Sequence, residues 1–152
     1  MKPDADLEQT AHDGFTPLMI AVQKGFPEIA STLLLSGANT EARTTSNGLT
    51  PLIAAALRGD EKMTSLLIKY GAKLDARSKQ GFTALLYCAR KGYFEVAKLL
   101  VEAGCRMDMK DGEGETAVQL AERSGQAVLV NFLKAAIKAR WNHHKFNPEA
   151  EI

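Results

Sequence analysis

Cysteine is scarce in this 152-residue chain: only Cys88 and Cys105 occur. Two thiols make no disulfide framework, so a reducing intracellular compartment, cytoplasmic or nuclear, is expected. Charge of one sign is also missing. Lys+Arg 19 against Asp+Glu 18 leaves a formal net charge of +1, which gives no general case for nucleic acid or an anionic membrane, and any electrostatic signal must be local. No apolar run approaches the roughly 18 residues of a membrane span, and the N-terminus carries no run of secretory type, so no membrane insertion is expected. Histidine is limited to His12, His143 and His144. A metal site needs three or four ligands, and the nearest cysteine to the histidine pair, Cys105, is 38 residues away. No metal, no cofactor and no small-molecule substrate are expected, and no catalytic constellation is present.

What the chain does have is repetition. Gly14-Phe15-Thr16-Pro17-Leu18 returns as Gly48-Leu49-Thr50-Pro51-Leu52, as Gly81-Phe82-Thr83-Ala84-Leu85, and more weakly as Gly114-Glu115-Thr116-Ala117-Val118. The glycine spacings are 34, 33 and 33. A second glycine follows each first one: Gly25, Gly59, Gly92 and Gly125. A third follows in three of the units: Gly37, Gly71 and Gly104. A fixed period of this length indicates stacked small units rather than one globular core. Such stacks leave an extended surface free for binding.

One unit can be read physically. Gly14 suits a turn. Thr16 before Pro17 predicts an N-cap followed by proline at the first helical position. Leu18 to Lys24 then forms a short helix ended by Gly25. Pro27 and Glu28 open a second helix, with Ile29, Leu33 and Leu34 at helical spacing, and Gly37 stops it. Met63, Leu67 and Ile68, then Val96, Leu100 and Val101, repeat the plan. Helices of two to three turns are not stable alone in water, so stacking must stabilise them.

The pattern Gly-x-Thr-Pro-Leu, Ala-x-x-x-Gly and Leu-Leu-x-x-Gly-Ala at this period closely resembles the ankyrin repeat, over roughly residues 5 to 138. The resemblance implies an all-α solenoid of stacked antiparallel helix pairs joined by β-hairpin-like loops. The histidine that usually follows Thr-Pro-Leu in that family is replaced by Met19, Ile53, Leu86 and Gln119, so apolar packing must carry more. The turn between the first two units holds one extra residue, within Thr44 to Asn47. Cys88 and Cys105 stand where the family usually has alanine, which implies small, inert, buried residues.

The expected organisation is an N-terminal remnant of a repeat or a degenerate cap (1–13), three repeats (14–47, 48–80, 81–113), a capping fourth repeat (114–141) and a polar tail (142–152). Glu122 and Lys134 make the outer face of the fourth unit polar, as a terminal cap requires. Its second helix lacks a stopping glycine and is expected to run on toward Trp141. The start could be the stump of a longer array.

The resemblance places partner contacts at the loop tips and on the exposed edge of each first helix, lining a concave face. The residues before each mid-unit glycine are Gln23-Lys24, Leu57-Arg58, Arg90-Lys91 and Arg123-Ser124: five basic side chains and no acid. The loops add Arg43, Arg77, Lys79 and Lys110. A second column, Phe15, Leu49 and Phe82, is apolar at sites expected to be open, and Tyr70 could join it. Both columns also admit a plain reading, with charges that are merely solvated and rings that pack back onto neighbouring loops. The favoured reading is a non-catalytic protein-interaction module that holds an acidic segment with apolar anchors. The alternative is a structural or targeting spacer within a larger repeat protein. Nucleic-acid binding through the same groove is weaker, since no motif supports it.

Overall fold

The computed structural model describes residues 6–146. A single 3-10 turn at His12–Gly14 leads into eight helices. They are α1 (Pro17–Lys24), α2 (Pro27–Leu35), α3 (Pro51–Arg58), α4 (Glu61–Lys69), α5 (Ala84–Lys91), α6 (Phe94–Glu102), α7 (Ala117–Arg123) and α8 (Ala127–Phe146). No strand occurs among the described residues, so the chain is all-α. The helices pair as α1/α2, α3/α4, α5/α6 and α7/α8 and stack in two layers. The inner layer is α1, α3, α5, α7 and the outer layer α2, α4, α6, α8.

Local chemistry sets the boundaries. Thr16, Thr50, Thr83 and Thr116 each accept the backbone N–H three residues on, at 3.2 to 3.4 Å. Each is thus the N-cap of an inner helix. Gly25, Gly59 and Gly92 end α1, α3 and α5 in the left-handed region. At Gly59 the reason extends beyond φ (+66°): a Cβ there would stand 3.0 Å from the Tyr93 ring. Tyr93, the N-cap of α6, thus packs on Gly59 of the preceding unit, and Gln126, just before α8, lies against Gly92 in the same way.

The loops are turns of one design. Ala11, Ser78 and Asp111 each donate N–H to the carbonyl four residues on, while Thr44 reaches Leu49, five on. The difference is the extra residue read from the sequence. In three turns a buried side-chain oxygen completes the cap: Thr44 Oγ1 accepts from Leu49 N–H (3.1 Å), Ser78 Oγ from Phe82 N–H (3.3 Å), and Asp111 Oδ1 from Glu113 and Glu115 N–H (2.9 Å each).

The core lies between the layers and between the units. Met19, Ile53 and Leu86, at the sites of the absent histidines, are all buried. Cys88 and Cys105 are buried too, and loss of water pushes both thiols up to about 12.

The fourth unit departs from the others at its end. Ile137 stands where Gly37, Gly71 and Gly104 turn the chain, so α8 continues to Phe146. The first residues of the expected polar tail are thus helical; residues 1–5 and 147–152 lie outside the described residues. Arg140 anchors the extension, donating to the carbonyls of Cys105 (2.6 Å) and Val101 (3.2 Å) at the end of α6. A cation at a helix C-terminus is favoured by the helix dipole.

Candidate functional site

The candidate surface is the exposed edge of the inner layer and the turns beside it. Lys24, Arg58 and Lys91 occupy equivalent places in successive units and are all exposed, as are Arg90 and Arg123. Lys24, Lys91 and Lys110 make no side-chain hydrogen bond or ion pair among the described residues. Their ammonium groups are therefore available.

Other basic residues of the predicted column have work inside the fold. Arg58 Nη1 donates to the Gln23 carbonyl at the end of α1 (2.6 Å). Arg43 Nη1 reaches the Arg77 carbonyl (2.5 Å) and Arg77 Nη1 the Lys110 carbonyl (2.7 Å). Lys79 Nζ donates to the Thr45 carbonyl. Each of these bonds crosses from one unit to the next. Arg123 pairs with Glu115. Much of what reads as a basic groove in sequence is thus a set of inter-unit fastenings.

The apolar column needs a firmer correction. Phe82 is buried, only 8% exposed. Its ring stacks on Tyr87, with centroids 4.7 Å apart and planes at 23°. The Arg90 guanidinium covers it at 4.6 Å, a cation–π contact. Tyr87 is itself fixed by a 3.0 Å hydrogen bond between its hydroxyl and Ser78 Oγ. Phe82 is therefore not an open anchor. Phe15, Leu49 and Leu57 are half-buried and packed against the core. Tyr70 caps the C-terminal end of α4 in the outer layer, so it stands apart from the column, which lies in the turns just before the inner helices.

Beside Arg90 lies a groove of about 510 Å³ between the third and fourth units. Gln80, Phe82 and Arg90 form one wall; Glu113, Glu115 and Arg123 form the other. Both charge signs face it, with Arg123 paired to Glu115, whereas Lys24, Arg58 and Lys91 are in no ion pair among the described residues.

The sequence reading missed a ladder of carboxylates. Glu8 Oε2 accepts from Asn39 N–H (3.0 Å), Glu41 Oε2 from Lys73 N–H (3.1 Å), and Asp75 Oδ1 from Arg106 N–H (2.9 Å). Asp108 is the next rung, but α8 offers it no free N–H, and it pairs with Arg106 at 3.0 Å instead. That ion pair holds the Asp108 carboxyl below its ordinary value. The signal was available: the four carboxylates recur at the repeat spacing. Asp13 makes a related tie, accepting from Ser46 N–H (3.0 Å), Ser46 Oγ (2.7 Å) and Thr45 Oγ1. Those donors lower its carboxyl below the usual range, the Thr45 bond most.

Among the described residues no group of three or more His, Cys, Asp or Glu could hold a metal ion, and no helix is long and apolar enough to cross a membrane. Helix pairs stacked at this period, the first three each closed by a left-handed glycine, define a helical repeat solenoid. The family model for ankyrin repeats, in three copies, matches residues 18–111, more than half of the chain. The chain belongs to the ankyrin-repeat family. Among curated proteins no match is found. Ankyrin repeats generally serve as protein–protein interaction modules and are generally not catalytic.

Proposed function

We propose that this protein binds a partner protein along the concave, inner-helix edge, and that the bound segment is acidic. The observation that carries the reading is that Lys24, Arg58, Arg90 and Lys91 are exposed with no carboxylate in ion-pair reach among the described residues. Inner helices pack about 10 Å apart. That is close to the Debye length of about 8 Å at physiological salt, so neighbouring fields overlap on a bound anion. Such attraction acts mainly on association rate and partner choice. The half-buried Phe15, Leu49 and Leu57 offer the apolar part of the contact, in place of the covered Phe82.

The test uses residues without a structural task. Lys91→Glu with Lys110→Glu leaves every inter-unit bond in place, because neither ammonium makes one. Partners captured from lysate by the parent protein are measured for binding kinetics at two salt concentrations. The variant should associate about tenfold more slowly, with a flatter salt dependence and an unchanged circular-dichroism spectrum. Equal association rates for parent and variant would place the binding site elsewhere.

A further inference from the structure

The first unit exposes an apolar face that its counterparts in the other units bury. Ile29 is 52% exposed, whereas Met63, Val96 and Leu129, at the same position of α4, α6 and α8, are 0%, 1% and 2% exposed. Phe26, at the N-cap of α2, is 50% exposed. Its counterpart Tyr93 lies on Gly59 of the unit before it. Pro17 and Ile20 of α1 are also more open than their buried counterparts Pro51 and Ala54. Among the described residues, a side shaped to pack against a helix pair is thus left without one.

We propose that a second copy of this chain covers this face, the two copies meeting first unit to first unit across a two-fold axis. Head-to-tail stacking is disfavoured, because the opposite face presents Glu122 and Lys134, paired at 3.2 Å, where the inner units present Val22 and Leu34. A two-fold contact needs a self-complementary patch, in which residue i meets j and j meets i. The rim provides one. Lys24 and Glu28 flank Phe26, both exposed and neither in an ion pair among the described residues. Two-fold pairing sets Lys24 of each copy against Glu28 of the other around an apolar centre of Phe26 and Ile29. Two helices of this length span roughly 20 Å by 13 Å. That is well below the roughly 800 Å² per partner of a stable interface, so the dimer is weak and concentration-dependent.

Sedimentation equilibrium of the whole chain from ~5 µM to ~500 µM tests this. The expected mass rises from 16.5 kDa toward twice that value. Ile29→Lys should keep the protein monomeric with its circular-dichroism spectrum unchanged. Lys24→Glu alone and Glu28→Lys alone should each weaken association about tenfold, and the double exchange should restore it. A single 16.5 kDa species at every concentration overturns the proposal. So does a dimer indifferent to Ile29→Lys, or a double exchange that fails to rescue the single ones. The Lys91 and Lys110 variant of the partner-binding test leaves this face untouched, so the two readings fail independently.

Discussion

The two ends of the stack are made from the same unit and treated oppositely. At the C-terminal end, Glu122 replaces the aliphatic or small residue of the inner units and Lys134 replaces Leu34, Ile68 and Val101. Both charged side chains are about half exposed. A pair this wet is worth ~0–1 kcal/mol, so its effect is to put charge where the other units put aliphatic packing, although Val128 and Trp141 of the same unit are exposed. At the N-terminal end, Ile29 and Phe26 keep the side chains of an interior unit on a surface that nothing described covers. The C-terminal end also gains the α8 extension and its Arg140 anchor. Among the described residues the N-terminal end has the ties of Glu8 and Asp13 to the turns that follow and Leu7 packed against the core. The two ends therefore differ by a few substitutions on one face and by the longer α8, laid over an otherwise repeated helix pair.

The strongest way to break that contrast is to remove the cap. Ending the chain before Gly114 bares Leu85, Leu100 and Val101, which are buried in the whole protein. Far-UV circular dichroism and light scattering should show loss of cooperative folding or aggregation; a soluble, cooperatively melting product would mean the fourth unit is no cap. A finer comparison truncates one position at both ends. Leu129→Ala removes a side chain 2% exposed and should cost ~2–5 kcal/mol in urea unfolding. Ile29→Ala, at the equivalent place, should cost no more than about 0.5–1 kcal/mol in the monomer. Similar losses at the two sites would show that Ile29 is covered in solution.

Smaller effects separate the two kinds of tie. Arg140→Ala removes a charged donor from two carbonyls at the end of α6 and should cost ~1.5–3 kcal/mol, read from urea unfolding. Faster amide exchange at the end of α6 should accompany it. Asp13 offers a pH-dependent version at the open end. Its carboxyl is held below the ordinary value by Thr45 and Ser46. Its contribution is therefore present above the unfolded value of about 3.9 and is lost as pH falls through the lower folded value. Amide exchange at Ser46 should rise on acidification through that window, and Asp13→Asn should remove the carboxylate's share of the change. A pH-independent Ser46 amide in the parent would count against the tie.

Much of this was legible before any coordinates. The period, the threonine caps, the glycine stops and the polar outer face of the fourth unit are local or strictly repeated features, and a sequence displays both. The fate of the basic column was not legible. An arginine bonded to a carbonyl some 34 residues away has the same letter as one extended into water, and only the stacking geometry distinguishes Arg58 from Lys24. Phe82 was misread for a related reason. Its burial depends on Arg90 folding back over it and on Tyr87 beneath it, a three-residue arrangement peculiar to the third unit. The carboxylate ladder is legible in the sequence, since Glu8, Glu41, Asp75 and Asp108 recur at the repeat spacing just as the glycines do.

The arginine and lysine fastenings end on main-chain carbonyls, at Gln23, Thr45, Arg77 and Lys110. Every amino acid supplies that oxygen. At Gln23 and Lys110 the joint is thus indifferent to the side chain at the receiving position, whereas the side chains of Arg77 and Thr45 make ties of their own, to Lys110 and Asp13. On the proposed binding edge, recognition can therefore be rewritten at Gln23 and Lys110, through successive substitutions or in the laboratory, without loosening the coupling of one unit to the next.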